Sequence, residues 1–449
     1  METPLCDFVR AYAARGGLRL HMPGHKGAGP LGVEALDITE VAGADELYRA
    51  RGVIRQSEEN AARLFGTART LYSAEGSSLC IRAMLYLALM NARKRGLPAR
   101  LLAGRNAHKT LMTAAALLDI DIDWLFPADG GLLACPIAPD TLEAALRGRR
   151  YMAVYVTSPD YLGNMLDIAA ISGVCRRFGV PLLVDNAHGA YLRFLPEDRH
   201  PITLGADMCC DSAHKTLPCL TGAAYLHVGP GAPGCFAAQA EQALSLFAST
   251  SPSYLIMQSL DAANRALAEG FPKELADCAD RMEQVRRRLR DYGYAVVGNE
   301  PMKITLAPKS LGYTGDALHD LLRERNIEGE FSDPDYLVLM PAPRMGDDAP
   351  ERLERALLRV PKRPAIDTAP PRLPVPERAL SVREAMLSPQ REVRAREAAG
   401  RVLADANVGC PPAVPILMAG ERIDEDALRC FRYYGRETCR VIDEEEGTP

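Results

Sequence analysis

Residues 205–227 read GADMCCDSAHKTLPCLTGAAYLH, and the fold follows from how this stretch divides. Residues 206–210 make a short apolar strand, residues 211–215 a turn of small and polar side chains, and residues 223–228 a second apolar strand. Polar residues bunched between two buried strands point to a site at strand ends, where open α/β sheets bind their ligands. At the centre stands Ser212-Ala213-His214-Lys215. A lysine on a turn is most often a solvated cation. The sharper reading is a lysine that forms a Schiff base with an aldehyde, as in pyridoxal-phosphate enzymes.

Composition weighs the two. The chain is rich in arginine and poor in lysine, so candidates are few. Lys26, Lys109 and Lys215 each follow a histidine, but only Lys215 has an apolar strand ending in a carboxylate upstream. That strand is PLLVD, closed by Asp185, thirty residues before the lysine. A pyridoxal ring needs a carboxylate that keeps its nitrogen protonated, so that the ring can take up electrons. Alone, Asp185 reads more simply as a helix cap. Asp185 and Lys215 on successive strand ends together shift the odds towards the cofactor.

Two further stretches fit. In ARTLYSAEGSS a strand meets a helix at Gly76, Ser77 and Ser78, and free N–H groups with hydroxyls at a helix N-terminus make an anion site. A plain serine N-cap is the ordinary alternative; beside a Schiff-base lysine the turn becomes a phosphate cradle. In RLLAGRNAHKT, His108 stands where a strand passes into a helix, a candidate for the flat side chain against a pyridoxal ring.

The totals bound the rest. The chain has 449 residues, 47% hydrophobic and 25% charged, as in soluble globular proteins, with material for two or three domains. Its net charge of −5 implies no general affinity for nucleic acid or acidic membranes. Twelve cysteines without a CxxC pair, many inside apolar runs, suit buried thiols in a cytoplasmic protein. The eight histidines show no paired ligand spacing, so no metal site is expected. The N-terminus lacks a signal-peptide core, and LCIRAMLYLALM is too short to span a bilayer.

Strands alternating with helices from residue 56 onward predict a mostly parallel sheet with helices on both faces. Residues 1–55 read as an arm with a helix near 4–15, and its loop LRLHMPGHKGAGPLG, flanked by apolar residues, is expected to pack on something. Residues 56–270 read as the large cofactor-binding domain, 271–360 as a smaller α+β domain, 361–377 as a proline-rich connector and 378–449 as a C-terminal segment. That last segment is expected to open with a charged helix over SVREAMLSPQREVRAREAAGRV and to end in a solvated acidic tail.

HMPGHKGAG, DITEVAGADELY, EGSS, RNAHK, TSPDYLGNMLDI, DNAHGAY, DSAHKTLPCLTGAAYLH and STSPSYLIMQSLDAA occur in an order that resembles the ornithine/lysine/arginine decarboxylases, fold-type I pyridoxal-phosphate enzymes. The resemblance is to the short form, without the receiver-like domain of longer members, and it implies a mostly parallel seven-stranded sheet in the large domain. It implies that Lys215 carries the internal aldimine, Asp185 the pyridine nitrogen and His188 the neighbourhood of the ring hydroxyl. It also implies His108 stacked on the ring and Ser77, Ser78, Ser212 and His214 on the phosphate of pyridoxal 5'-phosphate. Residues 249–253 would reach the partner's site in a homodimer with shared active sites. Asn186 and Tyr191 stand where the family often has Glu and His, and Leu79 follows the serines where a small or polar residue is common.

The expected reaction is loss of CO2 from a basic amino acid, a small-molecule substrate, to give the amine used in polyamine synthesis. The substrate's distal charge needs an acidic group, and Glu330 in IEGEFSDPDY is the candidate, with Asp333 and Asp335 beside it; a solvated acidic loop is the ordinary alternative. An aminotransferase or another lyase would use the same lysine and aspartate, with Arg344 available for an α-carboxylate. Products separate the two: CO2 and an amine against a keto acid.

Overall fold

The computed structural model describes residues 1–405 and 412–443. The chain forms two compact units that interleave along the sequence. One comprises Met1–Ala99, Leu142–Ser158 and Asp167–Ala276; the other comprises Arg100–Thr141, Pro159–Leu166 and Asp277–Pro449.

Seven strands form a mostly parallel sheet: β1 (Arg69–Ser73), β2 (Arg100–Gly104), β3 (Asp121–Leu125), β4 (Ala153–Thr157), β5 (Leu182–Asp185), β6 (Met208–Asp211) and β7 (Ala224–Val228). The expected α/β class is borne out. In the first unit the order is β1-β7-β6-β5-β4. Strands β4, β5 and β6 run parallel, β7 runs antiparallel to β6, and β1 runs antiparallel to β7. Every residue of β5, β6 and β7 is buried. That is why LLVD, MCCD and AYLHV read as apolar runs rather than alternations: parallel sheets are covered on both faces.

Local signals set the element ends. Helix Val53–Phe65 stops at Gly66, whose φ of +68° suits a residue without a Cβ. Helix Ile168–Phe178, the crossover between β4 and β5, starts where Asp167 accepts the Ala170 N–H at 2.9 Å. The edge strand β1 is shielded from within: Tyr72 N–H donates to Glu58 Oε1 at 3.0 Å. Burial pushes the Glu58 carboxyl up to about 8.

In the second unit β2 and β3 are parallel neighbours. A separate antiparallel sheet has the order β10-β11-β9-β8, from β8 (Ala295–Val297), β9 (Ile304–Ala307), β10 (Phe331–Ser332) and β11 (Leu337–Leu339). The charged helix expected from residue 381 is corrected. The helix covers only Val382–Leu387, and Gln390–Arg394 is a strand, β12, paired antiparallel with β13 (Thr438–Ile442). Pro389 is the cause: it disfavours a helical residue before it, and Ser388 is extended at ψ 156°.

The C-terminal segment is integral to this unit. Val382, Ala385, Met418 and Ala419 share a core with Met112 and Ala116. Arg105, with a fully buried side chain, pairs with Glu421 at 2.8 Å and lies over the rings of Trp124 and Phe126. The expected acidic tail beyond Asp443, and Cys410, lie outside the described residues. The eleven described cysteines are all free. Among the described residues no helix is long and apolar enough to cross a membrane.

Candidate active site

Strands β5 and β6 are parallel neighbours, so their C-terminal ends meet at one edge. There the first unit brings its chemistry together. Asp185 closes β5, and Lys215 sits on the helical turn Ala213–Thr216 that follows β6. Lys215 Nζ lies 3.0 Å from His188 Nε2, three residues past Asp185. This pairing was not foreseen; the sequence reading placed His188 only through resemblance.

Asp185 is 2% exposed, so its charge state matters. Its Oδ2 accepts from the Tyr155 hydroxyl at 3.0 Å; its Oδ1 accepts from the Ala187 N–H at 3.2 Å and faces the Cys210 thiol at 3.6 Å. All three donors are neutral. It caps no helix: the next one, the 3-10 turn Ala190–Phe194, is preceded by Gly189.

The turn after β1 reaches the same edge, because β1 and β6 both run antiparallel to β7. Gly76 opens helix Gly76–Lys94 at φ +71°. The N-cap is Glu75, which makes no side-chain cap hydrogen bond, so the simple serine-cap alternative does not describe this turn. Ser212 donates to Ser77 Oγ at 2.8 Å, joining this turn to the lysine turn. Ser78 lies in the first turn of the same helix. His214 Nδ1 lies 2.9 Å from the Ala223 carbonyl.

Other sequence-derived candidates belong to the second unit. His108 is the N-cap of helix Lys109–Leu118, accepting the Thr110 N–H on Nδ1 at 3.2 Å. Glu330 Oε1 accepts from the Tyr161 hydroxyl at 2.7 Å. Asp333 and Asp335 do not form a solvated acidic loop. Asp333 is buried and folds its own turn, accepting the N–H groups of Asp335 and Tyr336 at 2.7 Å, and burial raises its carboxyl to about 7. Asp335 is buried in an ion pair with Lys309 at 2.6 Å. Arg344 is exposed on its loop.

Sequence reasoning missed Tyr155 and a buried cluster around Asp211. Tyr155 is one apolar-looking residue of YMAVYV, and nothing local separates it from core. Asp211 carries no signal beyond being a charge at the end of an apolar strand.

Comparison with known proteins places the chain in a family. Residues 3–305 match the family described as Orn/Lys/Arg decarboxylase, major domain. The chain belongs to that family. Arginine decarboxylase of Bacillus subtilis (strain 168) is 31% identical over 463 residues, covering 95% of this chain and 92% of its own length. Arginine decarboxylase of Halalkalibacterium halodurans is 30% identical over 486 residues, covering 100% of this chain and 96% of its own. Among solved structures, the lysine decarboxylase LdcF of Francisella novicida superposes with a TM-score of 0.79 at 16% identity, over 98% of this chain and 81% of its own. Lysine decarboxylase A of Pseudomonas aeruginosa gives 0.79 at 19%, over 96% and 75%. At such identities the likeness speaks for the fold, which is that of the fold-type I pyridoxal-phosphate enzymes. The expected family, enzyme class and fold are borne out.

The residues of this Orn/Lys/Arg decarboxylase family member fit that cofactor. A buried carboxylate is costly without a cation, and among the described residues no cationic side chain pairs with Asp185. A protonated pyridine nitrogen would supply such a charge. A helix N-terminus whose N-cap, Glu75, makes no side-chain cap hydrogen bond suits a phosphate, and Lys215 beside an imidazole suits an aldehyde.

Proposed function

We propose that this chain binds pyridoxal 5'-phosphate and removes CO2 from a basic amino acid to release the amine. The observation that carries the reading is Lys215 Nζ against His188 Nε2, with buried Asp185 at the next strand end. When bound, the cofactor supplies an electron sink for the pair left by the departing carboxylate. Lys215 would hold the aldehyde carbon and Asp185 the ring nitrogen, with His108 against the ring and His188 near the ring hydroxyl. Gly76, Ser77, Ser78, Ser212 and His214 would hold the phosphate.

The chain's own chemistry is the handling of protons. Lys215 must lose a proton before it can act as a nucleophile, and a neutral His188 is placed to accept one from Nζ at 3.0 Å. Tyr155 and the Ala187 N–H both donate to Asp185 and hold its carboxyl group in place at the strand end.

Arginine stands ahead of lysine and ornithine as substrate, because the two relatives described above are arginine decarboxylases. Glu330 is the group proposed for the distal charge; the Tyr161 hydrogen bond fixes its rotamer while leaving Oε2 for a ligand. Glu330→Gln is expected to raise KM for the preferred amino acid by about tenfold or more, the scale of one charge-assisted hydrogen bond, and to change cofactor content little. An unchanged KM removes Glu330 from that role. The direct test of the reaction is purified protein with pyridoxal phosphate and arginine, lysine or ornithine, assayed for CO2 and amine. A keto acid instead of CO2 would replace decarboxylation by transamination.

A homodimer is part of the proposal. The arm expected to pack on something leaves Leu18, Leu20 and Leu31 more than 80% exposed and Met22 at 65%. An apolar cluster of this kind suits burial against a second copy. Sedimentation as a monomer at micromolar concentration would contradict it.

A further inference from the structure

Asp211 has no part in the scheme above, yet it is the most heavily partnered carboxylate near the lysine turn. It is fully buried at the end of β6, directly before Ser212. Its Oδ2 lies 3.0 Å from His200 Nε2 and 3.2 Å from His227 Nε2, and its Oδ1 accepts from Asn186 Nδ2 at 2.7 Å. Both histidines are fully buried too. Burial by itself would raise the Asp211 carboxyl, but the two imidazoles outweigh it and hold the group far below the usual carboxylate range.

His200, Cys209 and Asp211 lie close enough to hold a metal ion. The local hydrogen bonding favours another use. The Ile202 N–H points at His200 Nδ1 at 3.4 Å, so that nitrogen accepts and the ring proton sits on Nε2, aimed at Asp211. His227 Nδ1 is engaged by the Thr70 hydroxyl at 2.8 Å. The His200 N–H then occupies the direction a metal would need.

We infer that Asp211 is a positioning residue that locks the two cofactor-handling turns of this enzyme together. This rests on the pyridoxal reading. One turn is its own continuation, Ser212 to Lys215. The other follows β5, where Asn186 stands between Asp185 and the Ala187-His188 pair. The Asn186–Asp211 bond is a side-chain tie between them at their base, reinforced by the Asn186 N–H on the Cys210 carbonyl at 3.0 Å. The 3.0 Å approach of His188 to Lys215 depends on how these two turns sit side by side. So does the Ser212–Ser77 contact on the phosphate side. The histidines keep Asp211 ionised and its Oδ1 turned to Asn186. Asn186, a departure from the residue common in the family, is in this chain the donor that an anionic Asp211 requires.

The test is pyridoxal-phosphate affinity measured on apoprotein, with thermal denaturation alongside. Asn186→Ala removes only this tie, because Asn186 Oδ1 has no hydrogen-bond partner. It is expected to weaken cofactor binding about tenfold, the worth of one hydrogen bond to a charged group, with little change in Tm. Asp211→Asn sets amide N–H against an N–H donor and is expected to weaken binding at least as much. The swap Asn186→Asp with Asp211→Asn reverses donor and acceptor, and it is expected to bring affinity back to within about threefold of wild type. A merely structural role predicts no such recovery. If wild type binds while Asn186→Ala binds as tightly, or if the swap binds no better than the weaker single variant, the inference fails alone. If wild type itself takes up no cofactor, the pyridoxal reading falls and this inference with it.

Discussion

Lys215→Ala is expected to lower kcat by about 10³-fold or more and to abolish borohydride-dependent labelling by pyridoxal phosphate. The size follows from what the side chain does. On the proposed reading it is the nucleophile offered to the aldehyde, and among the described residues it is the lysine placed beside the His188 imidazole at the ends of β5 and β6. No neighbouring group supplies a second amine there: His188 can carry a proton but cannot take the amine's place. The fold should tolerate the change, because Lys215 is only partly buried on a four-residue turn. Denaturation by heat should therefore match wild type while CO2 release is lost. Retained turnover within tenfold of wild type would overturn the assignment.

Asp185→Asn is the second large effect. The substitution keeps shape and the Tyr155 hydrogen bond but removes the negative charge from a site that is 2% exposed. In so buried a place a charge opposite the ring nitrogen of the proposed cofactor would interact strongly, and its loss would leave that nitrogen without reason to hold a proton. A kcat lower by about 10²–10³-fold is expected, the scale on which removal of a single preorganised electrostatic group is felt. Cofactor should still bind, through Lys215 and the phosphate turn. Release of CO2 from saturating substrate, with bound cofactor measured on the same sample, checks both halves. A loss smaller than tenfold would mean that Asp185 serves the fold and not the ring.

The fold was legible because buried parallel strands leave a plain mark: LLVD, MCCD and AYLHV are short apolar runs closed by polar turns. Lys215 and Asp185 were legible for the same reason, since each is a polar residue directly beyond such a run. The Pro389 break was equally visible, but the charged residues on either side read as one helix. What stayed hidden were groups whose meaning lies in pairing across strands. Tyr155 faces Asp185 from the neighbouring strand, and the two are adjacent only once β4 and β5 pair. Asp211, His200 and His227 converge from β6, a loop and β7, with nothing in their spacing to announce it. Asp333 and Asp335 misled in the opposite sense: three acids in six residues read as solvated, yet Asp333 braces a turn and Asp335 meets Lys309.

The most direct test of the central claim is reduction of the pyridoxal-phosphate-loaded protein with borohydride, followed by proteolysis and mass mapping of the pyridoxyl group. The account expects one label per chain, on Lys215. A label on another lysine, or no stable label on protein that releases CO2 from a basic amino acid, would contradict it.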